Sequence, residues 1–337
     1  MPTLAEVLRE QRRRLDERED DAVRRVASVY DMLESDTERR LHHVNWLIDE
    51  ARRTGGPIPA SWLHTQNRYQ ILLQEVRTID DLYTTQANRV LRDARMMEIR
   101  AGALDAMERT GVMGPVHGHT TVNYQAVESM AAQLSSDSPV TRVLQGFGDE
   151  RAQAIERRLL SGIANGDGVD VIVRDIMRDV GDVASPWRIR SIVRTEGVRA
   201  YRESQLDQYE NVPEVAGFVW QAARGPRTCL ACLSMDGTVF KSRDDVPGSH
   251  PNCRCTIVPE PENMYPSVRR YLNQRGSGEE WLRRQSPEAI RQHFPSERAY
   301  QAFMRGDVTL KDFTGLSHSK TWGTSITQLS GKQAMAK

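Results

Sequence analysis

All four cysteines of this 337-residue chain lie in one short segment, between Cys229 and Cys255. With one histidine they read Cys229-x2-Cys232, then His250-x2-Cys253-x-Cys255 after a gap of seventeen residues. Zinc takes four soft ligands at tetrahedral corners, and two closely spaced pairs on opposing turns meet that geometry. A segment this small buries little apolar surface, so a structural metal would supply the missing stability. The spacing therefore predicts a small module tethered by zinc.

Five side chains compete for four places around such an ion. The first choice is Cys229, Cys232, His250 and Cys253, with Cys255 as the alternative to His250. Two other interpretations remain open at this point. The cysteines are reduced, packed and metal-free, or they form disulfides after release into an oxidising medium.

Catalytic chemistry is disfavoured at this segment. A hydrolytic zinc site keeps one position open near a general base. A zinc deaminase shows H-x-E before P-C-x-x-C, whereas His250 is followed by Pro251 and Asn252. The run Ser249-His250-Pro251-Asn252 resembles HNH nucleases only faintly. The pair His117-x-His119 has no third ligand nearby and is interpreted as part of a loop. We expect no enzyme, with a metal-dependent nuclease or toxin as the minor alternative.

The amino-acid composition restricts the classes of protein to which this chain can belong. Hydrophobic residues make up 39% of the chain and charged residues 27%, so the protein can form a hydrophobic core and still have a large hydrated surface. Aromatic residues make up only 6%, which favours a helix-rich fold. The 46 basic and 46 acidic residues balance, which argues against a surface that coats nucleic acid. No secretory signal is evident, and no stretch approaches the ~18 apolar residues of a membrane span. We expect no membrane association, and a protein kept in a cytoplasm or in a particle assembled there.

The first half of the chain predicts two long helices. Apolar residues recur every seven positions within residues 3–53, at Leu8, Leu15, Ala22 and Val29. The run from Thr54 to Pro59 breaks this helix, and Ser61 is a candidate cap for the next one. A short break between two long helices predicts an antiparallel hairpin. We expect the charged residues of both helices to lie on solvated faces.

A helix that starts at Ser185 and Pro186 places Glu196 on its apolar face. A partly buried carboxylate needs a cation nearby. Arg199 is the local candidate, whereas Arg224 or Arg227 reaches Glu196 only through tertiary folding. We interpret this group as a structural ion pair rather than a catalytic carboxylate.

The segment around the cysteines has the pattern of a small β element. We predict strands at 217–221, 238–240 and 256–258, with Asp236-Gly237 as a hairpin turn between the first two. Trp281, Leu282, Ile290 and Phe294 form one short helical segment, and Ser296 and Gly306 bound the next helix. Residues 317–337 are polar and weakly patterned, so a flexible tail is expected.

These patterns predict an α+β fold that is predominantly helical, with a long N-terminal hairpin, a helical middle, a small β module with the Cys/His cluster, and short C-terminal helices. The expected domains are an N-terminal hairpin at 1–109, a helical middle at 110–184, a core with the Cys/His module at 185–262, a C-terminal helical segment at 263–316 and a polar tail at 317–337.

A series of short motifs resembles the phage Mu F-like head morphogenesis family, also called the minor head or minor capsid proteins. The motifs are Arg194-Thr195-Glu196, Gly217, Trp220, Cys229-x2-Cys232, Asp236-Gly237 and His250-Pro251-x-Cys253-Arg254-Cys255. They occur in the expected order and cover roughly residues 150–260. A second set is similar to the segment that follows this domain in many members: Trp281-Leu282-x2-Gln285, Arg298, Gly306 and Leu310-x-Asp312.

The resemblance implies a role in the virion rather than a reaction. Members of the family are packaged in few copies, associate with the portal protein, and help procapsid assembly or later DNA exit. It implies a location in the head interior near the portal, host cytoplasm during assembly, portal and major capsid or scaffolding proteins as partners, and no small-molecule substrate. In an alternative interpretation, Arg224, Arg227 and Arg254 hold phosphate and phage DNA is a partner.

Overall fold

A computed structural model describes residues 2–55, 67–116, 139–165, 167, 169–183, 185–319 and 323–335. The helices are α1 (Leu4–Gly55), α2 (Asn67–Met113), α3 (Pro139–Asn165), α4 (Val169–Val183), α5 (Pro186–Glu210), α6 (Leu230–Met235), α7 (Pro266–Arg275), α8 (Gly278–Arg283), α9 (Pro287–His293), α10 (Glu297–Arg305) and α11 (Gly331–Ala334). The strands are β1 (Val215–Gln221), β2 (Val239–Phe240), β3 (Thr256–Pro261), β4 (Thr314–Ser319) and β5 (Gly323–Gln328). The predicted, predominantly helical α+β fold is confirmed. The turn at Gly56–Pro59, the cap at Ser61 and the His117-x-His119 pair lie outside the described residues.

The chain divides into two compact units. The first comprises Met1–Glu19, Ala94–Ser136 and Arg194–Lys337, and the second comprises Asp20–Asp93 and Asp137–Val193. The cysteine segment and all five strands belong to the first unit. None of the helices in the described part of the chain is long and apolar enough to cross a bilayer.

The helices α1 and α2 run antiparallel, as the sequence predicts. Side-chain pairs between them are Arg14–Asp105 and Arg18–Glu98 in the first unit, and Asp36–Tyr83 and Arg40–Glu75 in the second. The residue number falls along α2 as it rises along α1, which is the signature of an antiparallel pair. The hairpin prediction is therefore confirmed.

The expectation that the charges of this hairpin are solvated is only partly right. Arg13 is exposed and pairs with Glu17 at 2.5 Å along the same helix, as an i,i+4 pair does. Glu98 and Asp105, in contrast, are buried against arginines of α1. The expectation fails because charges that meet an opposite charge on the facing helix can be buried in pairs.

The strands β1, β2 and β3 form an antiparallel sheet in the order β2-β1-β3. Trp220 of β1 lies opposite Ile257 of β3, and both are fully buried in the core. The predicted turn at Asp236-Gly237 is present and leads into β2, but it does not form a tight hairpin by itself, because the short helix α6 also lies in the connection between β1 and β2. Gly237 ends that helix with a positive φ of 86°, which turns the chain into β2.

The open edge of β3 is covered by side chains of two helices. Arg109 of α2 donates to the carbonyl oxygen of Ile257 at 2.8 Å and to the hydroxyl of Thr256 at 3.1 Å. Tyr209 of α5 donates to the same carbonyl at 3.4 Å. These contacts satisfy the Ile257 carbonyl, a backbone group that an edge strand otherwise leaves unpaired.

The C-terminal region differs from its prediction in two respects. The expected single segment from Trp281 to Phe294 is two helices, α8 and α9, because Ser286 caps a new helix by accepting a bond from the Ala289 amide at 3.3 Å. The next helix, α10, is capped by Ser296 and ends at Gly306 in the left-handed conformation, as predicted.

The expectation of a flexible tail from residue 317 is wrong for the described residues, which form an antiparallel β4–β5 pair and α11. Ile326 is buried in the core, and Gln328 accepts a bond from the Leu230 amide at 2.8 Å while donating to the His293 carbonyl at 3.2 Å. A polar side chain thus ties this segment to the start of α6, which hydrophobic patterning does not reveal.

Gly102 gives a test of the packing between α2 and α5. A Cβ atom at this position would overlap the Tyr201 carbonyl oxygen and lie 3.1 Å from Ser204 Cβ. We expect Gly102→Ala to lower the free energy of unfolding by about 1–3 kcal/mol, the usual effect of overpacking. Gly111→Ala on the same helix faces open space and is expected to be neutral or stabilising by up to ~1 kcal/mol. Urea denaturation of both variants measures the difference, and equal stabilities would contradict the close approach.

Candidate metal centre

The first pair of cysteines is positioned by the start of α6. Cys229 is the N-cap residue of this helix, and its Sγ accepts a bond from the Cys232 amide at 3.4 Å. Cys232 is buried one turn into the helix. The two-residue spacer thus brings both sulfur atoms to the same end of the helix, where backbone N–H groups favour negative charge.

The second pair is positioned by a tight turn. The Cys253 amide donates to the His250 carbonyl at 3.2 Å, and Asn252 within the turn has a positive φ of 63°. The Asn252 amide donates to the hydroxyl of Thr195 on α5 at 3.0 Å. The Cys255 amide donates to Cys253 Sγ at 3.5 Å. Cys229 in the first pair and Cys253 in the second therefore each have a sulfur atom that accepts a hydrogen bond from a backbone amide.

The structure brings all five predicted ligands together. His250 Nε2 lies 3.2 Å from both Cys229 Sγ and Cys232 Sγ. Cys232 Sγ lies 3.7 Å from Cys253 Sγ. The ligand atoms form two groups of three that share Cys232: Cys229, Cys232 and His250, and Cys232, Cys253 and Cys255. Within each group every ligand atom lies within 4.8 Å of the others.

These spacings suit a tetrahedral zinc ion. With Zn–S bonds of about 2.3 Å, two sulfur ligands at tetrahedral corners lie ~3.8 Å apart. With a Zn–N bond of about 2.0–2.1 Å, a sulfur and a nitrogen ligand lie ~3.6 Å apart. The observed 3.7 Å between Cys232 and Cys253 and 3.2 Å between Cys232 and His250 are close to these values. The donor set can therefore hold a metal ion with small adjustments.

The orientation of His250 also suits a metal ligand. Its Nδ1 lies 2.7 Å from the Pro251 carbonyl oxygen, which can only accept, so Nδ1 carries the proton. In the neutral form of the ring, which is the form that binds a metal, the lone pair of Nε2 then faces the cysteine sulfur atoms. Histidine ligands of metals typically donate their other ring N–H in this way.

The cluster divides its four thiols into two kinds. The pKa values of Cys229 and Cys253 are lowered, chiefly by hydrogen bonds from Cys232, whereas hydrogen bonds to other thiols of the cluster and burial raise the pKa values of Cys232 and Cys255 well above the ordinary value. Hydrogen bonds from Cys232 and from His250 lower the pKa of Cys229 to about 5. Burial opposes the charged form of His250, but bonds to Cys229 and Cys253 raise its pKa to about 11. Thiolates are the form in which cysteine binds a metal.

Polar residues outside the cluster hold the loop that carries His250. Arg202 of α5 donates to the buried hydroxyl of Ser249, and its guanidinium lies 4.3 Å from the Trp220 ring centroid. Arg194, one helical position before Thr195, pairs with the buried carboxylate of Glu19. The motif Arg194-Thr195 therefore connects α5 to α1 and to the loop that carries His250.

The ion pair predicted for Glu196 has a different main partner. Glu196 is buried, and its carboxylate lies 3.2 Å from Arg95 of α2. Burial raises the pKa of Glu196, while Arg95 and then Arg199 favour its ionised form. Arg227 is exposed on the loop before Cys229. No local pattern in the sequence connects Arg95 with Glu196, because the two residues lie far apart in the chain.

The three arginines predicted to contact phosphate differ in their surroundings. Arg224 lies 2.6 Å from Asp236 and donates to the carbonyl of Arg275 at 2.7 Å, so its guanidinium is occupied by internal contacts. Arg254 lies 3.6 Å from Asp16 and is half-buried beside the cysteines. Arg227 is exposed. Arg224 is thus the least suited of the three to a phosphate contact.

Comparison with known proteins gives one match. Residues 153–258 match the family described as Phage Mu protein F like protein. No curated protein and no solved structure matches the chain. The matched region contains α5, β1, β2, the first three residues of β3 and all five candidate ligands. This agrees with the resemblance inferred from the motifs of the sequence: residues 153–258 are similar to the phage Mu protein F-like family.

Proposed function

We propose that the protein is a phage minor head protein that binds the portal and the capsid interior and supports head assembly and genome packaging or ejection. The observation that carries this proposal is the match of residues 153–258 to the phage Mu protein F-like family. The protein works in the head interior near the portal, after synthesis in the host cytoplasm.

The Cys/His cluster serves this role as a structural zinc site held by Cys229, Cys232, His250 and Cys253. Four protein ligands leave no coordination position for a water molecule, so the ion tethers the fold and performs no reaction. The cluster joins the start of α6 to the loop before β3, and Thr195 and Arg202 connect that loop to α5. Such a tether gives a small module a rigid surface for docking.

Elemental analysis of freshly purified, reduced protein tests the zinc site. We expect one equivalent of zinc per chain in the natural protein and loss of that zinc in Cys232→Ser, because Cys232 contributes to both groups of ligands. Loss of the ion should also remove most of the module's stability, because metal binding in such sites contributes on the order of 10 kcal/mol.

Cys255→Ser is the matched control. It removes a buried cysteine of the same cluster that belongs to only one of the two groups, and we expect it to keep the zinc. Zinc-free natural protein with an intact fold would refute the structural site. Loss of zinc in Cys255→Ser together with its retention in His250→Ala would identify the all-cysteine set instead.

Co-purification with the portal protein tests the assembly role. We expect the natural protein and Cys255→Ser to migrate with the portal protein expressed beside them, and Cys232→Ser to be lost from that fraction because its docking module loses rigidity. Density-gradient fractions from conditions that preserve procapsids give the measurement. Repeated absence of the natural protein from the portal fraction would contradict the proposal, and metal-dependent nicking of plasmid DNA that His250→Ala abolishes would favour a nuclease.

A further inference from the structure

A cavity of about 290 Å³ lies in the first unit, lined by parts of α1, α2, β1, β3 and α7. Five arginines line it: Arg9, Arg12, Arg109, Arg254 and Arg275. Among the described residues that line this cavity, none is an aspartate or a glutamate. The chain as a whole has equal numbers of basic and acidic residues, so this concentration of arginine is local.

The carboxylates behind the wall do not balance these charges. Asp16 lies 3.5 Å from Arg12 and 3.6 Å from Arg254, so one carboxylate serves two guanidinium groups. Asp236 likewise lies 3.4 Å from Arg275 and 2.6 Å from Arg224. Arg254 also approaches Glu19 at 3.8 Å, but that carboxylate is paired with Arg194. Positive charge is therefore left in excess around the cavity.

Arg109 adds a positive charge whose hydrogen-bond partners are all neutral. It is 2% exposed, and its guanidinium donates to neutral oxygens of Gln11, Thr256, Ile257 and Tyr201. Asp105 reaches it only through the Tyr201 hydroxyl, which donates to that carboxylate at 2.5 Å. A buried charge with no opposite charge beside it is costly. An anion in the cavity would offset that cost.

We propose that this cavity is a binding site for a phosphate group. Guanidinium groups match the geometry of phosphate oxygens with paired hydrogen bonds, and several unbalanced positive charges favour a dianion over a monoanion. The volume exceeds that of several water molecules, at ~30 Å³ each, so there is room for a phosphate and part of the group that carries it. Leu8, Leu15 and Tyr271 line the same cavity and provide an apolar wall for that group.

The site adjoins the metal centre. Arg12 and Arg254 also line a second cavity of about 210 Å³, whose wall includes Cys229 and His250. Arg194 and Arg227 line this second cavity as well. Arginines therefore line both cavities, and Arg227 of the second cavity is exposed, which suits either a free phosphate or the phosphorylated end of a nucleic acid.

Calorimetric titration of the full-length, zinc-loaded protein with inorganic phosphate tests the site. We expect saturable binding of phosphate that acetate at equal ionic strength does not reproduce. Arg12→Gln is expected to weaken phosphate binding roughly tenfold, in line with the loss of a charge-assisted hydrogen bond. Arg9→Gln is a second, exposed variant that tests the same wall without altering buried contacts.

Arg13→Gln is the matched control, because Arg13 neighbours Arg12 on α1 but pairs with Glu10 and Glu17 instead of lining the cavity. Equal weakening by the Arg12 and Arg13 substitutions, or equal binding of acetate and phosphate, would overturn the proposal. Competition by a 5′-phosphorylated oligonucleotide, and weaker competition by the same oligonucleotide without that phosphate, would identify a nucleic acid end as the source. Binding of inorganic phosphate without such competition would identify a free anion.

Discussion

The convergence of two short turns on Cys232 is the constraint on which the rest of the first unit depends. One turn begins α6 and the other precedes β3, and their sulfur atoms meet at 3.7 Å. Without an ion, this arrangement gathers four thiols and an imidazole in a nearly dry space, where ionised groups repel one another unless they are neutralised. A divalent cation bound there would resolve that conflict and would form a cross-link between two parts of the chain.

The elements around the cluster extend this cross-link to the long helices. Thr195 and Arg202 fix α5 to the loop of His250, and Arg109 joins α2 to the edge of β3. Arg194 continues the connection to α1 through Glu19. These connections are hydrogen bonds and ion pairs, because the surfaces of α1, α2 and α5 that face one another are rich in arginine and carboxylate side chains. The cationic cavity arises in the same region, where arginines that brace the fold outnumber the acids that pair with them.

The sequence predicted the features that depend on local chemistry. The ligand spacing from Cys229 to Cys255, the start of α5 at Pro186 and the cap at Ser296 all follow from the geometry of a few neighbouring residues. It did not predict the Arg95–Glu196 pair or the ordering of the segment that carries Gln328, because both depend on partners about 100 residues away. The helix α6 was not predicted either, because a helix of six residues is too short to show a periodic pattern of apolar residues.

X-ray absorption at the zinc edge tests the central claim most directly, since it reports the atoms bound to the ion in the intact protein. The account predicts a four-coordinate ion with three sulfur ligands at about 2.3 Å and one nitrogen ligand at about 2.0 Å. A spectrum dominated by oxygen ligands, or a purified protein whose zinc is bound away from the cysteines, would contradict it.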